Sequence, residues 1–196
     1  MDRIYRVGID EVPKRLTLEE NEHLRLTFIV MPGVSADIPF EIKIVKPGVN
    51  LEIFGLYLSP HSERVKLDVT VRHLVGGASS RQLFRGIVGG TARAEFDGLV
   101  YVAPDAQKTK AFQENHSILL NDGAVVETHP QLEIYADDVQ CSHGATTGYL
   151  NPDELFYLRS RGIPEAEARR LQMISFITPV IAHLPEEMQA QIISRV

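Results

Sequence analysis

A single cysteine and a nearby histidine are the residues of this chain best suited to chemistry. Cys141, the only cysteine among 196 residues, precedes His143 by two positions in the run DDVQCSHGAT. Side chains two positions apart on a β-strand lie on the same face, so both groups would point the same way. Thiolate and imidazole are suitable ligands for iron, iron–sulfur clusters or zinc. Two ligands cannot complete a tetrahedral site, so the others would come from another subunit or from solvent.

Two other interpretations of Cys141 compete with a metal or cluster site. A lone cysteine is more often a small buried hydrophobic residue than a ligand. A cysteine hydrolase would use Cys141 as nucleophile and a histidine as base. His143, however, lies beside the thiol on one strand, whereas catalytic pairs generally come from separate elements. A position at the start of a helix would lower the pKa of the thiol, but no helix is expected to begin at Cys141. A cysteine hydrolase is therefore disfavoured.

Three other histidines and two glycine pairs predict no second site. The spacings of three histidines match no ligand pattern, and we expect surface residues or ladders across strands: His73, His116 and His129. Gly76-Gly77 and Gly89-Gly90 are not followed by Lys-Ser or Lys-Thr, so the Walker pattern is absent. We therefore expect the chain to bind no nucleotide directly.

Composition and charge exclude several classes of protein. Hydrophobic residues make up 44% and charged residues 23%, as in soluble globular proteins. The net charge of −6 argues against a nucleic-acid-binding protein, which normally has a basic face. One cysteine excludes an intrachain disulfide framework. No stretch resembles a signal peptide or a membrane span, so we predict a cytoplasmic location without membrane or nucleic-acid partners.

Short apolar runs predict that the first three quarters of the chain are strands. In EIKIV and VKLDVTV the apolar residues occupy alternate positions, which places one face inward and the charged residues outward. No helix-length amphipathic segment separates the runs, which disfavours a layout of alternating strands and helices. A sandwich, a barrel and a solenoid all remain compatible. Between two early runs, Leu16 to Glu22 is polar and is expected to form a turn.

The pattern becomes helical after Gly148. Asn151 can cap a helix that begins at Pro152, Glu154 can complete a capping box, and Gly162 is a suitable stop. A second helix is expected to open at Pro164 and to end or kink at Pro179, with a third from Pro185. One side of the second helix would carry Ala168, Leu171, Ile174, Ser175 and Thr178. We predict a β core over 1–149 and a helical docking segment over 150–196, which is too small for a core of its own.

Two long runs carry a resemblance to a known family. FDGLVYVAPDAQKTKAFQENHSILLNDGAVVETHPQLEI and DDVQCSHGATTGYLNPDELFYLRSRGIPEAEAR closely resemble the SufB/SufD family of iron–sulfur cluster assembly proteins. Matching residues are frequent from Ser79 to Phe176. Before Gly55 only the general sequence pattern resembles the family. Gly144 after the histidine resembles SufD rather than SufB. Family members usually carry a longer N-terminal helical region and more turns, so the chain resembles a short form.

The resemblance implies a fold and a set of partners. The fold would be mainly β: a right-handed parallel β-helix followed by a small C-terminal helical subdomain. It would pair with a SufB-like subunit or with itself, and its helices would dock a SufC-type ABC ATPase. The docking residues would be Phe156, Tyr157, Arg159, Arg161, Gly162, Leu171 and Ile174.

The resemblance also implies a role. The chain would be a non-catalytic scaffold, with ATP hydrolysis confined to the partner. An iron–sulfur cluster would be transient or shared at a subunit interface, with His143 as the stronger candidate ligand and Cys141 as the weaker. The alternative is a self-pairing β-solenoid interaction module without cluster chemistry.

Overall fold

Eleven strands and three helices make up the part of the chain, residues 1–19 and 22–196, that the computed structural model describes. The strands are β1 (Asp2–Arg6), β2 (Arg15–Leu18), β3 (His23–Val30), β4 (Ala36–Ile44), β5 (Asn50–Ser59), β6 (Arg64–His73), β7 (Ser79–Val88), β8 (Arg93–Val102), β9 (Lys110–Leu119), β10 (Val125–Ile134) and β11 (Gln140–Tyr149). The helices are α1 (Pro152–Ser160), α2 (Glu165–Ile181) and α3 (Glu186–Ile193).

The strands wind into a parallel β-solenoid of about five turns. Odd-numbered strands form one sheet in the order β1-β3-β5-β7-β9-β11, which we call sheet A. Even-numbered strands form the other, in the order β10-β8-β6-β4-β2, which we call sheet B. In sheet A, His23 aligns with Asn50, Asn50 with Ser79, Ser79 with Lys110, and Lys110 with Gln140, so each coil takes 27 to 31 residues. The prediction of a mainly β solenoid with C-terminal helices is confirmed.

Strict alternation fills the space between the sheets with apolar side chains. In β6 every second residue from Val65 is buried, and in β4 the same holds from Ile38 to Ile44. Because parallel register aligns equivalent positions, these residues stack one above another in columns along the solenoid. Each coil therefore covers the apolar surface of its neighbour, as stacked repeats do.

Helices α2 and α3 cover the outer face of sheet A. The buried apolar residues Ile177, Val180 and Ile181 of α2, Leu184 of the connection and Ile192 of α3 pack in one cluster with Ile29, Leu56, Leu58, Leu83 and Ile87 of the sheet. The residues expected on one side of α2 do not all face the sheet. Ala168 is buried, whereas Leu171, Ser175 and Thr178 are exposed, and Gln172 is buried beside them. Helix α2 also passes through Pro179 and ends two residues later. Docking against β5 and β7, rather than the helix's own apolar count, selects the buried face.

Helix α1 begins and ends as its sequence predicts, yet buries nothing. The Asn151 side chain accepts hydrogen bonds from the backbone N–H groups of Asp153 and Glu154. At the other end Gly162 adopts a φ of +86°, and the N–H of Ile163 donates to the carbonyl of Leu158, which is a Schellman motif. Glu154 does not complete a capping box but accepts a hydrogen bond from Gln172 Nε2 at 3.1 Å.

Two further expectations fail for reasons of tertiary packing. Part of the predicted turn from Leu16 to Glu22 is strand β2, which pairs with β4 (positions 20 and 21 lie outside the described residues). His73, expected near the surface, is fully buried at the end of β6, where Nε2 lies 2.8 Å from Ser80 Oγ. Neither outcome follows from the local sequence, because each depends on the neighbouring coil.

Candidate functional site

The last coil leaves the C-terminal end of the solenoid open. Among the described residues, β11 pairs only with β9, and β10 pairs only with β8. Both strands therefore present a free edge of backbone N–H and C=O groups, which can pair with another chain. Large apolar side chains stand exposed around this end: Ile134, Tyr135 and Tyr149.

Cys141 and His143 lie on β11 at this open end. In register they align with Ala111 and Gln113 of β9, which are both buried between the sheets. Since aligned residues of neighbouring strands share a face, Cys141 and His143 belong to the interior face of the solenoid. No further coil covers them within the described residues, and His143 is exposed. Two potential ligand groups thus share one face beside a free strand edge.

The thiol of Cys141 is set in an apolar environment. It packs beside the cluster formed by Val100, Val102, Ala106, Ala111 and Ala136. Burial raises the pKa of the Cys141 thiol, and a hydrogen bond from the Ala111 backbone only partly offsets this effect. The thiol is therefore kept protonated and poorly nucleophilic, the opposite of an activated catalytic cysteine. This environment disfavours a cysteine hydrolase. It also makes His143 a better candidate ligand than Cys141.

We expect Cys141 to react slowly with iodoacetamide near neutral pH. Because only the thiolate reacts, the raised pKa and partial burial should make its alkylation roughly threefold or more slower than that of free cysteine. The rate should rise as the pH increases. Timed mass spectrometry measures the rate, and the urea-unfolded chain is the control that should react as free cysteine does. Alkylation of the folded chain as fast as of the unfolded one would contradict this description of the thiol.

Two other histidines form ladders on the outer faces, as predicted. His116 Nδ1 lies 2.7 Å from Thr146 Oγ1 on the next coil. His129 Nδ1 lies 2.8 Å from Asp97 Oδ1. Asp97 and His129 form a group of possible metal ligands with Glu95, and their ligand atoms lie within 4.8 Å of one another. This group was not predicted from the sequence. The Lys66 ammonium already bridges both carboxylates, at 2.7 and 2.9 Å.

The glycine pairs act at the corners of the coils. The N–H of Gly77 donates to the carbonyl of Gln107 on the next coil. Gly90 adopts a φ of +58°, and a Cβ there would meet the His61 carbonyl oxygen at 2.1 Å. Both positions thus serve close approach of backbone to backbone.

The predicted docking residues form an exposed surface on α1 and the start of α2, and we call this the α1 surface. Phe156 is 74% exposed and Tyr157 56% exposed. Tyr157 and Leu171 line an open groove between the two helices. Ile174 is half-buried. The Arg161 guanidinium lies over the Tyr157 ring, 5.3 Å from its centroid, and Arg159 pairs with Glu165 at 3.3 Å. Gly162 makes the turn that joins the helices.

The polar contact that holds α1 to α2 could not be predicted. Gln172, buried on α2, donates from Nε2 to the Asn151 carbonyl at 3.0 Å. The same Nε2 lies 3.1 Å from Glu154 Oε2. A glutamine among apolar helix residues was the only signal for this contact.

None of the helices in the described residues is long and apolar enough to cross a bilayer.

Comparison with known proteins places these features in a family. The family model described as "SUF system FeS cluster assembly, SufBD core domain" matches residues 10–176. The match reaches well before Ser79, where the dense resemblance begins. It therefore includes β3 to β6, whose sequences carry the pattern of the fold but no distinctive motif.

Curated relatives point the same way. Iron-sulfur cluster assembly protein SufD of Escherichia coli (strain K12) is 40% identical over 147 residues, which are 74% of this chain and 35% of that protein. SufD of Bacillus subtilis (strain 168) is 36% identical over 121 residues, which are 61% of this chain and 28% of that protein. A SufBD family protein of Mycobacterium tuberculosis (strain ATCC 25618 / H37Rv) is 31% identical over 187 residues, 91% and 44% of the two chains. The chain spans less than half the length of these relatives. Their names describe assembly proteins rather than enzymes, and this chain belongs to the SufB/SufD family of the SUF system for iron–sulfur cluster assembly and is SufD-like.

Proposed function

We propose that this chain is a non-catalytic scaffold subunit that pairs through its open solenoid end and docks a SufC-type ATPase through its helices. The observation that carries the proposal is the position of His143 beside the free edge of β11 in a chain of this family. The cluster is cargo, built or passed on at the junction of two subunits. We expect this to take place in the cytoplasm.

The open end supports pairing with a second subunit. The free edges of β10 and β11 can each accept a strand, and the exposed Tyr135 and Tyr149 supply apolar area around them. A SufB-like subunit would add the ligands that Cys141 and His143 cannot supply alone. Pairing with a second copy would bring the same two residues from each side.

We expect His143→Ala to reduce the yield of cluster roughly tenfold or more, because removing a ligand costs at least as much metal affinity as removing its supporting residue. The chain and its SufB-like partner are reconstituted anaerobically with iron and sulfide, and cluster is measured by absorbance and by iron content. Cys141→Ala is expected to have a smaller effect, since its thiol is partly buried and held protonated.

His129→Ala is the matched control for His143→Ala. His129 is also exposed on one of the last two strands, but it faces outward against Asp97. Equal cluster yield from His143→Ala and the unchanged chain would contradict the cluster role. That result would favour the self-pairing module without cluster chemistry, which the same free edges would serve.

The α1 surface supports docking of the ATPase. Helix α1 has no buried residue, and its Phe156 and Tyr157 side chains expose large aromatic surfaces. Such exposure on a short helix is typical of a contact surface, and aromatic residues commonly dominate binding energy. The Schellman turn at Gly162 and the hydrogen bond from Gln172 to the Asn151 carbonyl fix both ends of α1, the helix that carries these rings.

We expect Phe156→Ala and Tyr157→Ala each to weaken binding of the cognate ATPase at least about tenfold, as loss of a buried aromatic anchor does. Binding is measured by titration calorimetry. Point substitutions are needed because deleting 151–196 would uncover Ile29, Leu56 and Leu83 on sheet A. Ile9→Ala, which removes an exposed apolar side chain far from α1, is the control and should leave affinity unchanged. Unaltered affinity in both aromatic variants would exclude the α1 surface.

A further inference from the structure

The interior column that ends at His143 changes its chemistry along the solenoid. From β3 onward, one residue per coil on the inward face of sheet A builds this column: Leu26, Ile53, Gln82, Gln113 and His143. Strands β3 and β5 contribute aliphatic side chains, and β7 and β9 contribute amides. The column therefore becomes polar as it approaches the open end.

Gln113 is held in place but is not fully hydrogen-bonded. It is 1% exposed, and its Nε2 donates to Gln82 Oε1 at 3.2 Å. Across the interior Gly98 leaves room for the amide, since a Cβ there would lie 2.6 Å from Gln113 Oε1. That oxygen is buried and has no partner. Burial of an unpaired acceptor is unfavourable, and an aliphatic residue such as Ile53 in the same column would avoid it.

The unpaired oxygen needs a hydrogen-bond donor, and the next residue in the column is His143. Adjacent strands of a sheet lie about 4.8 Å apart, within the reach of an imidazole above an amide. The neutral ring carries one N–H, and the described hydrogen bonds give it no other partner. We infer that Gln113 is a positioning residue for His143, whose ring turns inward and donates its N–H to Gln113 Oε1.

This hydrogen bond would prepare the ring to act as a ligand. Donation to the amide oxygen selects one tautomer and fixes the plane of the ring. The other ring nitrogen then keeps its lone pair and is directed away from the amide, as in histidines that bind metal while donating to a carbonyl. The use of that nitrogen for cluster assembly rests on the proposed function, but the hydrogen bond itself does not.

The test measures the tautomers of His143 in the full chain. Ring nitrogens are labelled with ¹⁵N, long-range ¹H–¹⁵N spectra are recorded at alkaline pH, and His143→Ala identifies the signals. Gln113→Met removes the acceptor and should change the ratio of the two tautomers by at least about threefold, the value of a weak hydrogen bond. Gln113→Glu keeps an acceptor oxygen and should leave the same tautomer in excess, by at least the wild-type ratio, because a carboxylate accepts more strongly than an amide.

A second variant guards against a folding defect. In Gln113→Met the Gln82 oxygen loses its donor, so the double variant Gln82→Met and Gln113→Met removes the amide ladder and should give the same shifted ratio. A ratio that stays at the wild-type value in both Met variants would overturn the inference. Its failure is separable from that of the proposed function, because cluster yield in His143→Ala tests the function alone.

Discussion

Gly86→Ala is expected to lower the free energy of unfolding by about 3 kcal/mol or more, the upper range for overpacking a core. A Cβ on Gly86 would meet the Tyr57 ring at 1.9 and 2.1 Å. The ring cannot move aside, because Tyr57 is buried and its hydroxyl bonds to Asn115 at 3.1 Å and to Ser117 at 2.7 Å. Shifting the ring would therefore break two buried hydrogen bonds as well as the packing.

Urea denaturation measures this effect, and Gly148→Ala is the matched control. Gly148 also lies in a strand of sheet A, but a Cβ there would contact nothing within 4 Å. Tyr57→Leu provides a further check, since Gly86→Ala should cost less in that background. A loss equal to that in Gly148→Ala would show that the ring and Gly86 are not packed as described.

The second large effect is a loss of stability in mild acid caused by His73. Desolvation lowers the pKa of His73 to about 4 from the ordinary 6.5. A histidine whose pKa is lower in the folded state favours folding while it is neutral. Below about 6.5 the unfolded chain gains a proton that the folded chain does not, so stability falls as the pH falls toward 4. By pH 5 the contribution lost is about 2 kcal/mol, and at pH 4 about 3 kcal/mol.

Urea denaturation at neutral pH and at about pH 5 measures the contribution of His73 to the free energy of unfolding, because most carboxylates remain ionised at both pH values. The control variant is His73→Leu with Ser80→Ala, which removes the ring and its hydroxyl partner together. This variant should lose about 2 kcal/mol less than the unchanged chain between the two conditions. The pKa of His183 is also lowered by burial and by Arg25, so a remaining pH dependence is expected in both proteins. Parallel pH dependence of the two proteins would contradict the buried environment of His73.

Local signals in the sequence predicted most of the elements. The two-residue alternation of VKLDVTV identified β6, and Asn151 with Gly162 identified both ends of α1. These signals act within a strand or a helical turn, so they need no knowledge of distant residues. Strand β2 was missed because its four residues gain their order from pairing with β4.

The candidate site was predictable only in part, for the same physical reason. The spacing of Cys141 and His143 is enough to place both side chains on one face. That this face belongs to the solenoid interior depends on alignment with β9, some thirty residues earlier in the chain. Gln113 carries no local sign of its position beneath His143, and the apolar shell around Cys141 comes from the two preceding coils.

The shift from an aliphatic to a polar interior column has a consequence for the dynamics of the solenoid. Coils of a solenoid contact only their neighbours, so an end coil can detach while the others remain folded. The free energy of local opening follows buried apolar area. Leu26 and Ile53 lie fully buried among apolar neighbours, whereas most side chains of β11 are exposed. Amide hydrogens should therefore exchange fastest in the last coil. A subunit that adds a strand to β11 would turn this fraying end into an internal coil, so that association and the final folding step of the site become one event.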